Sequence, residues 1–141
     1  MTIYPDTSFL VSLYLDDRHS AEAQRWLKSE LNILLTRLHV AEFTHAIEQH
    51  VFRGELSVGE SRALHELLLE DIANSVWIEA SIPESAYDRC IDLARHYAAQ
   101  FGSRTLDSLH VASALELNTT DFWTFDDRQK KLARAAGLKI R

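Results

Sequence analysis

Residues Tyr4–Leu10 read YPDTSFL. A short apolar lead-in, Ile3-Tyr4, runs into one carboxylate and two hydroxyls, Asp6, Thr7 and Ser8, before apolar residues resume. A buried first strand that hands over to a helix in this way is a common place for chemistry in α/β proteins. One aspartate does not name the chemistry, so the reading has to work outward from it.

Downstream, short apolar runs alternate with helical patterns. Ser8 to Tyr14 reads as one or two helical turns. Asp17 or Ser20 is positioned to cap a helix ending near Ser29. Ile33-Leu34-Leu35 reads as a buried strand. From Arg37 to Phe52, Val40, Phe43, Ile47 and Val51 recur at helical spacing. Ser57-x-x-Glu60 is a capping-box pattern and opens a helix with Leu64, Leu67, Leu68 and Ile72 on one side. Val76-Trp77-Ile78 reads as a third strand. Ser81-x-x-Glu84, with Pro83 in the first turn, predicts a long helix to about Phe101. Thr105 to Glu116 reads as helix, Phe122 to Thr124 as strand, and Asp127 to Ala136 as a helix stopped by Gly137. Leu138 to Ile140 is a last short strand. Strands of three or four residues alternating with helices predict an α/β fold with a parallel sheet covered on both faces. In such sheets the ligand crevice lies beyond the carboxyl ends of the strands.

At 141 residues the chain fits one domain, 1–141, and is long enough to bury a core without disulfides. The single cysteine, Cys90, sits among Ile91, Leu93 and Ala94 and reads as core filler, which fits a cytoplasmic setting. Neither a secretory signal nor a membrane span is expected. A net charge of −6 argues against holding nucleic acid by bulk charge alone. The charge is uneven, however: Arg128 to Arg141 carries six basic residues and no acidic one. That segment is either a solvated helix face with a basic tail or a local rim for phosphates. The tryptophans, Trp26, Trp77 and Trp123, have no interleaved basic pattern and read as core.

Four acids fall at strand ends or helix starts. Asp6 follows the first strand, Glu42 lies in the first two turns of the helix after the second, Asp107 is in the first turn of its helix, and Asp126 follows the Phe122–Thr124 strand. Each has a structural explanation. Asp126 with Gln129 makes a capping-box pattern, Asp107 suits the helix dipole, Asp6 suits an Asx turn, and Glu42 suits a solvated face. Asp6 and Asp107 nevertheless sit in dense apolar sequence, where a lone carboxylate is expensive to bury. A cation among hard oxygen ligands removes that cost, and carboxylates without histidine or cysteine partners suit Mg²⁺ or Mn²⁺ rather than zinc. His39 and His45 are six apart and share a helix face poorly; His110 is three residues from Asp107 and stands near the site.

YPDTSFLVSLYL at the start, Glu42 in LHVAEFTHAI, RTLDSLHVASAL from Arg104 and FWTFDDRQKKLARAAGL from Phe122 resemble the PIN-domain family, and within it the VapC-type toxins of toxin–antitoxin pairs. The resemblance runs in order across nearly the whole chain; RTLDSLHVASAL and TFDDRQKKLARAAGL are its most specific pieces. It implies a three-layer α/β/α sandwich with a central parallel sheet of short strands. It also implies a Mg²⁺- or Mn²⁺-dependent endoribonuclease. Carried over by position, the catalytic and metal-binding acids are Asp6, Glu42, Asp107 and Asp126, with Ser8 and Thr124 in support and Asp127 as a substitute for Asp126. Arg104, Arg128 and Lys131 are the leading candidates for RNA phosphates, beside Lys130 and Arg134. Pro5 departs from the family pattern and predicts an irregular end to the first strand.

The resemblance also implies partners: an RNA substrate, a cognate antitoxin binding as a short helix, and a homodimer, with an apolar groove around Leu13, Leu64 and Leu68. Other readings are a stand-alone nuclease of the same family, a silent binding module with the fold, and a nuclease for structured DNA. An aspartyl-phosphate hydrolase needs a second aspartate two residues after the first, and Ser8 occupies that place.

Overall fold

The structure is a computed structural model and describes residues 2–30 and 32–141. Among the described residues the short strands are β1 (Ile3–Pro5), β2 (Leu34–Leu35), β3 (Ile78–Glu79), β4 (Asp121–Trp123) and β5 (Lys139–Ile140). All pairings are parallel: β1 with β4, β4 with β5, and β2 with β3. A parallel bridge between Ile3 and Ile33 joins the two groups. The order across the molecule is therefore β3-β2-β1-β4-β5, and the chain changes direction across the sheet at β1.

The helices are α1 (Thr7–Tyr14), α2 (Ser20–Ser29), α3 (Arg37–Phe52), α4 (Val58–Ala73), α5 (Ser85–Leu93), α6 (Ala99–Phe101), α7 (Thr105–Glu116) and α8 (Asp127–Ala135). They form two layers, because neighbouring strand residues face opposite ways. Ile3, Ile33, Leu35 and Trp123 join Phe9, Trp26, Phe43, Ile47 and Leu68 in one core beneath α1 to α4. Tyr4, Leu34 and Phe122 join Cys90, Leu109, Val111 and Leu132 in the other, beneath α5, α7 and α8. The fold is thus the expected α/β/α sandwich, and all three tryptophans are buried in the core. Cys90 is buried too, with its thiol directed at the Thr105 carbonyl at 3.7 Å. Among the described residues no helix is long and apolar enough to cross a membrane.

Several local expectations are corrected. The third strand lies at Ile78–Glu79, because Trp77 turns into the core and donates to the Tyr14 hydroxyl at 3.2 Å. The Ser81-x-x-Glu84 box does not form; α5 starts at Ser85 without a side-chain cap. The long helix that follows is interrupted by a π-helical turn, Ala94–Ala98, a feature that leaves no periodicity signal in so short a window. Neither Asp17 nor Ser20 caps α2; His19 occupies the cap position, while Ser20 donates to the Leu15 carbonyl at 2.5 Å and Asp17 accepts from the His19 N–H. The Ser57–Glu60 box is present on both sides. Leu68 is buried, and Leu13 and Leu64 pack against the same core, so the apolar groove expected there is filled from within. Among the described residues the exposed large apolar side chains include Phe52, Val58, Leu69, Ile91 and Tyr87, with Leu67, Ile78 and Leu106 less so.

On the β4 side β1 keeps its register through Pro5 and Trp123. The Ile3 N–H donates toward the β2 side, to Asn32, and the Asp6 N–H donates to Trp123 on the β4 side. By alternation the proline's missing N–H falls on the β2 side, where β1 and β2 meet only at the Ile3–Ile33 bridge and no ladder continues past it, the irregular strand end expected of a proline. Its carbonyl accepts from His39 Nε2 at 2.7 Å. That bond ties the β1 end to the first turn of α3.

Candidate active site

The change of direction at β1 opens a crevice at the carboxyl ends of β1 and β4, as open parallel sheets do. Asp6 sits there, 3% exposed. Its Oδ1 caps α1 by accepting from the Phe9 N–H at 3.1 Å and accepts from the Ser8 hydroxyl at 2.5 Å. Its Oδ2 accepts from the Thr124 hydroxyl, which reaches across from β4. Among the described residues no cationic side chain touches it. Burial pushes the Asp6 carboxyl above its ordinary value, and the Ser8, Thr124 and Phe9 donors offset that only in part.

Thr124 also accepts from the Asp126 N–H at 3.0 Å, so one hydroxyl ties two acidic positions together. Asp126 caps α8 by accepting from the Gln129 N–H at 3.0 Å. Asp126 lines the crevice; Asp127, one residue on, is exposed and outside it. Gln129 is buried, and its Oε1 has no partner.

Glu42 comes from the second turn of α3 and His110 from α7. Glu42 accepts from the Thr7 hydroxyl at 2.7 Å and from His110 Nε2. With Nε2 donating, His110 Nδ1 accepts from the Tyr4 hydroxyl at 2.8 Å. A buried Tyr4–His110 pair thereby holds Glu42 at the crevice. Burial alone would raise Glu42, but its hydrogen bond with His110, together with that from Thr7, brings it below its ordinary value. His39, three residues before Glu42, is fully buried and serves the backbone: its Nδ1 accepts from the Thr36 N–H at 2.9 Å and its Nε2 donates to Pro5. Burial pushes His39 down to about 3.

Asp107 is turned back on its own helix start. It accepts from the Arg104 backbone N–H at 2.9 Å and from Arg104 Nε at 3.4 Å. Arg104 is thus paired with an internal acid at the mouth of the crevice. Arg128 donates to the Gly102 carbonyl at 3.3 Å, and Lys131 is exposed on α8.

All four acids, Asp6, Glu42, Asp107 and Asp126, line one cleft of about 150 Å³, with Thr7, Ser8, Arg104, His110 and Gln129 completing its wall. Among the described residues no three His, Cys, Asp or Glu side chains are gathered to metal-ligand distance. The reason is visible in their partners: each carboxylate is turned to a hydrogen-bond donor, Glu42 to His110, Asp107 to Arg104, Asp126 to Gln129. The donor set nonetheless suits a small hard cation: four carboxylates and two hydroxyls face one polar cleft, and Asp6 is buried there without a countercharge.

Sequence reasoning expected the acids and Ser8 at one crevice, and they line this cleft; it expected Thr124 in support, and Thr124 is buried behind the cleft, donating to Asp6. It missed Thr7 as the Glu42 partner and Tyr4 as the support of His110. Thr7 stands inside the quoted YPDTSFL, but nothing in that segment tells that its hydroxyl points to a helix starting thirty residues later.

A parallel sandwich with an acidic cleft at its switch point is a defined class of α/β protein. The PIN domain family description matches residues 3–135, so this chain belongs to the PIN-domain family. Comparison with curated protein sequences finds no match. Among solved structures, Mycobacterium tuberculosis VapC20, a toxin that cleaves the sarcin-ricin loop, is 15% identical, with a TM-score of 0.72 over 97% of this chain and 96% of that one. FitAcB from Neisseria gonorrhoeae is 19% identical, with a TM-score of 0.74 over 99% of this chain and 96% of that one. VapBC2 from Rickettsia felis, bound to a DNA fragment from its promoter, is 15% identical, with a TM-score of 0.69 over 100% and 98%. At these identities the likeness establishes the fold.

Proposed function

We propose that this chain is a divalent-metal-dependent endoribonuclease that hydrolyses RNA phosphodiester bonds and acts as the toxin of a toxin–antitoxin pair. One observation carries the reading: Asp6 is buried without a cation at the end of β1, in the same cleft as Glu42, Asp107 and Asp126. An ionised carboxylate in that position is costly unless a cation neutralises it.

Asp6, Asp107 and Asp126 are the residues that would hold Mg²⁺ or Mn²⁺, with Glu42 binding beside them or orienting water. When bound, such a cation neutralises charge on the scissile phosphate and acidifies water for in-line attack. Ser8 and Thr124 fix the angle of the Asp6 carboxylate. His110 and Thr7 orient Glu42. Arg104, on the cleft wall, has 74% of its side chain exposed and is placed to exchange its weak Asp107 contact for an RNA phosphate. Arg128 and Lys131 extend that positive rim on α8.

Membership of the PIN family and the likeness to VapC and FitAB complexes support the toxin assignment and, with it, an antitoxin partner. A homodimer and a cytoplasmic location belong to the same reading.

The test is cleavage of a labelled single-stranded RNA with Mg²⁺, with Mn²⁺ and with EDTA, beside Asp6→Ala. Metal-dependent cutting that the mutant lacks is the expected result. Neither cutting nor thermal stabilisation by Mn²⁺ would overturn the metal-site reading and leave a binding module with this fold.

A further inference from the structure

Beside the acidic cleft, three aromatic rings lie in a row that packing alone does not require to end where it does. Trp26, buried in the core, stacks on Phe125 at 4.8 Å between centroids, and Phe125 stacks on His19 at 4.4 Å with the planes 3° apart. Exposure rises along the row, from buried Trp26 to half-buried Phe125 and His19. Phe125 lies between Thr124 and Asp126, and its backbone N–H approaches the Ser8 hydroxyl at 3.5 Å, the same hydroxyl that donates to Asp6. The outer end of the row is therefore linked to the acid cluster through one residue. One arginine edges the outer ring, Arg18, which donates from Nε to His19 Nε2 at 3.2 Å, while at the inner end the Arg141 guanidinium lies 5.4 Å from the Trp26 ring centroid. Asp17, two residues before His19, is engaged by Ser12, by Ser20 and by the His19 N–H.

A flat ring at the end of a stack, edged by arginine and set beside a phosphate-cleaving centre, matches what a single-stranded nucleic acid needs: a π face for a base and positive charge for its backbone. We infer that His19, backed by Phe125, is a stacking station for one unpaired nucleobase of the RNA adjacent to the scissile phosphate, with Arg18 facing the backbone. The identity of the ligand rests on the nuclease reading of the cleft. The station itself rests on the ring geometry. The expectation that the tryptophans are core holds for Trp26, which is also the base of a row whose outer member is His19.

The experiment reads binding rather than cleavage, so the two readings fail separately. Fluorescein-labelled single-stranded oligoadenylate and oligouridylate are titrated in EDTA against Asp6→Asn protein carrying His19, His19→Ala or His19→Phe. His19→Ala is expected to weaken binding roughly 5- to 150-fold, more for the purine strand, because a stacked base is lost. His19→Phe is expected to restore it, since a phenyl ring keeps the face without the imidazole nitrogens. An oligonucleotide with one abasic position at the stacked base should bind the His19 and His19→Ala proteins alike. Equal binding of intact strands by His19 and His19→Ala proteins of matched thermal stability would overturn the inference, as would no binding by the His19 protein. Ring-dependent binding without metal-dependent cleavage by the Asp6 protein would keep the station and remove the nuclease.

Discussion

The Thr124 hydroxyl donates to the Asp6 carboxylate although 118 residues separate them. Parallel pairing of β1 with β4 brings them together: Pro5 is in register with Trp123, so the residues that follow emerge side by side at the crevice. Asp6 is aimed by a neighbour from the adjacent strand as well as by Ser8 and Phe9 of its own segment.

Replacing that hydroxyl is the direct test of aiming. Thr124→Val keeps the shape and removes the donor to Asp6. Residues that orient metal ligands typically cost about 10–100-fold in metal affinity or activity when lost. A fall of that size in the Mn²⁺ dependence of RNA cleavage is expected, with Thr124→Ser close to the parent.

Asp6 itself should weaken the metal-free protein. Its folded carboxyl lies above the ordinary value because of burial. Stability from the protonated form is complete below the unfolded value and is lost as pH rises through the folded one. At neutral pH without metal, the ionised group is therefore a burden. Asp6→Asn should raise Tm in EDTA at pH 7 and abolish the further rise on adding Mn²⁺. A lower Tm for the mutant would show that the carboxylate is stabilised by its hydroxyl and N–H donors alone.

Acid should destabilise the fold through His39. This ring is fully buried, and burial holds it down to about 3, against an ordinary value of 6.5. A depressed value means that the unfolded chain binds the proton first. The contribution of His39 is complete above pH 6.5 and is lost as pH falls toward about 3. Thermal melts across that window should fall steadily, and His39→Gln should flatten the slope while lowering Tm at pH 7, because the Thr36 and Pro5 backbone groups lose part of their partners.

Arg104 separates stability from substrate binding. Its pair with Asp107 is long and its side chain mostly exposed, and such pairs contribute about 0–1 kcal/mol. Arg104→Ala should therefore leave Tm nearly unchanged. If Arg104 meets an RNA phosphate, the same change should weaken RNA binding and reduce its salt slope by about 1. A large Tm loss with an unchanged salt slope would assign the residue to the helix start alone.

The long helices were legible because their apolar spacing and end signals agree: α3 and α7 have the predicted ends, and the Ser57–Glu60 box opens α4 as read. The π turn after α5 and the shifted β3 were not, since hydrogen-bond register and a tryptophan's choice of core leave no mark in a window of a few residues. The chain's own pattern also determined that the acids stand at strand ends and helix starts, where a parallel sheet presents side chains to a crevice. Tertiary structure alone decided their partners. Glu42 meets His110 across 68 residues, while Asp107 turns to Arg104 three residues away. Periodicity is a local property of the backbone and survives in the sequence; a hydrogen bond between distant side chains exists only once sheet order and register have brought them within reach.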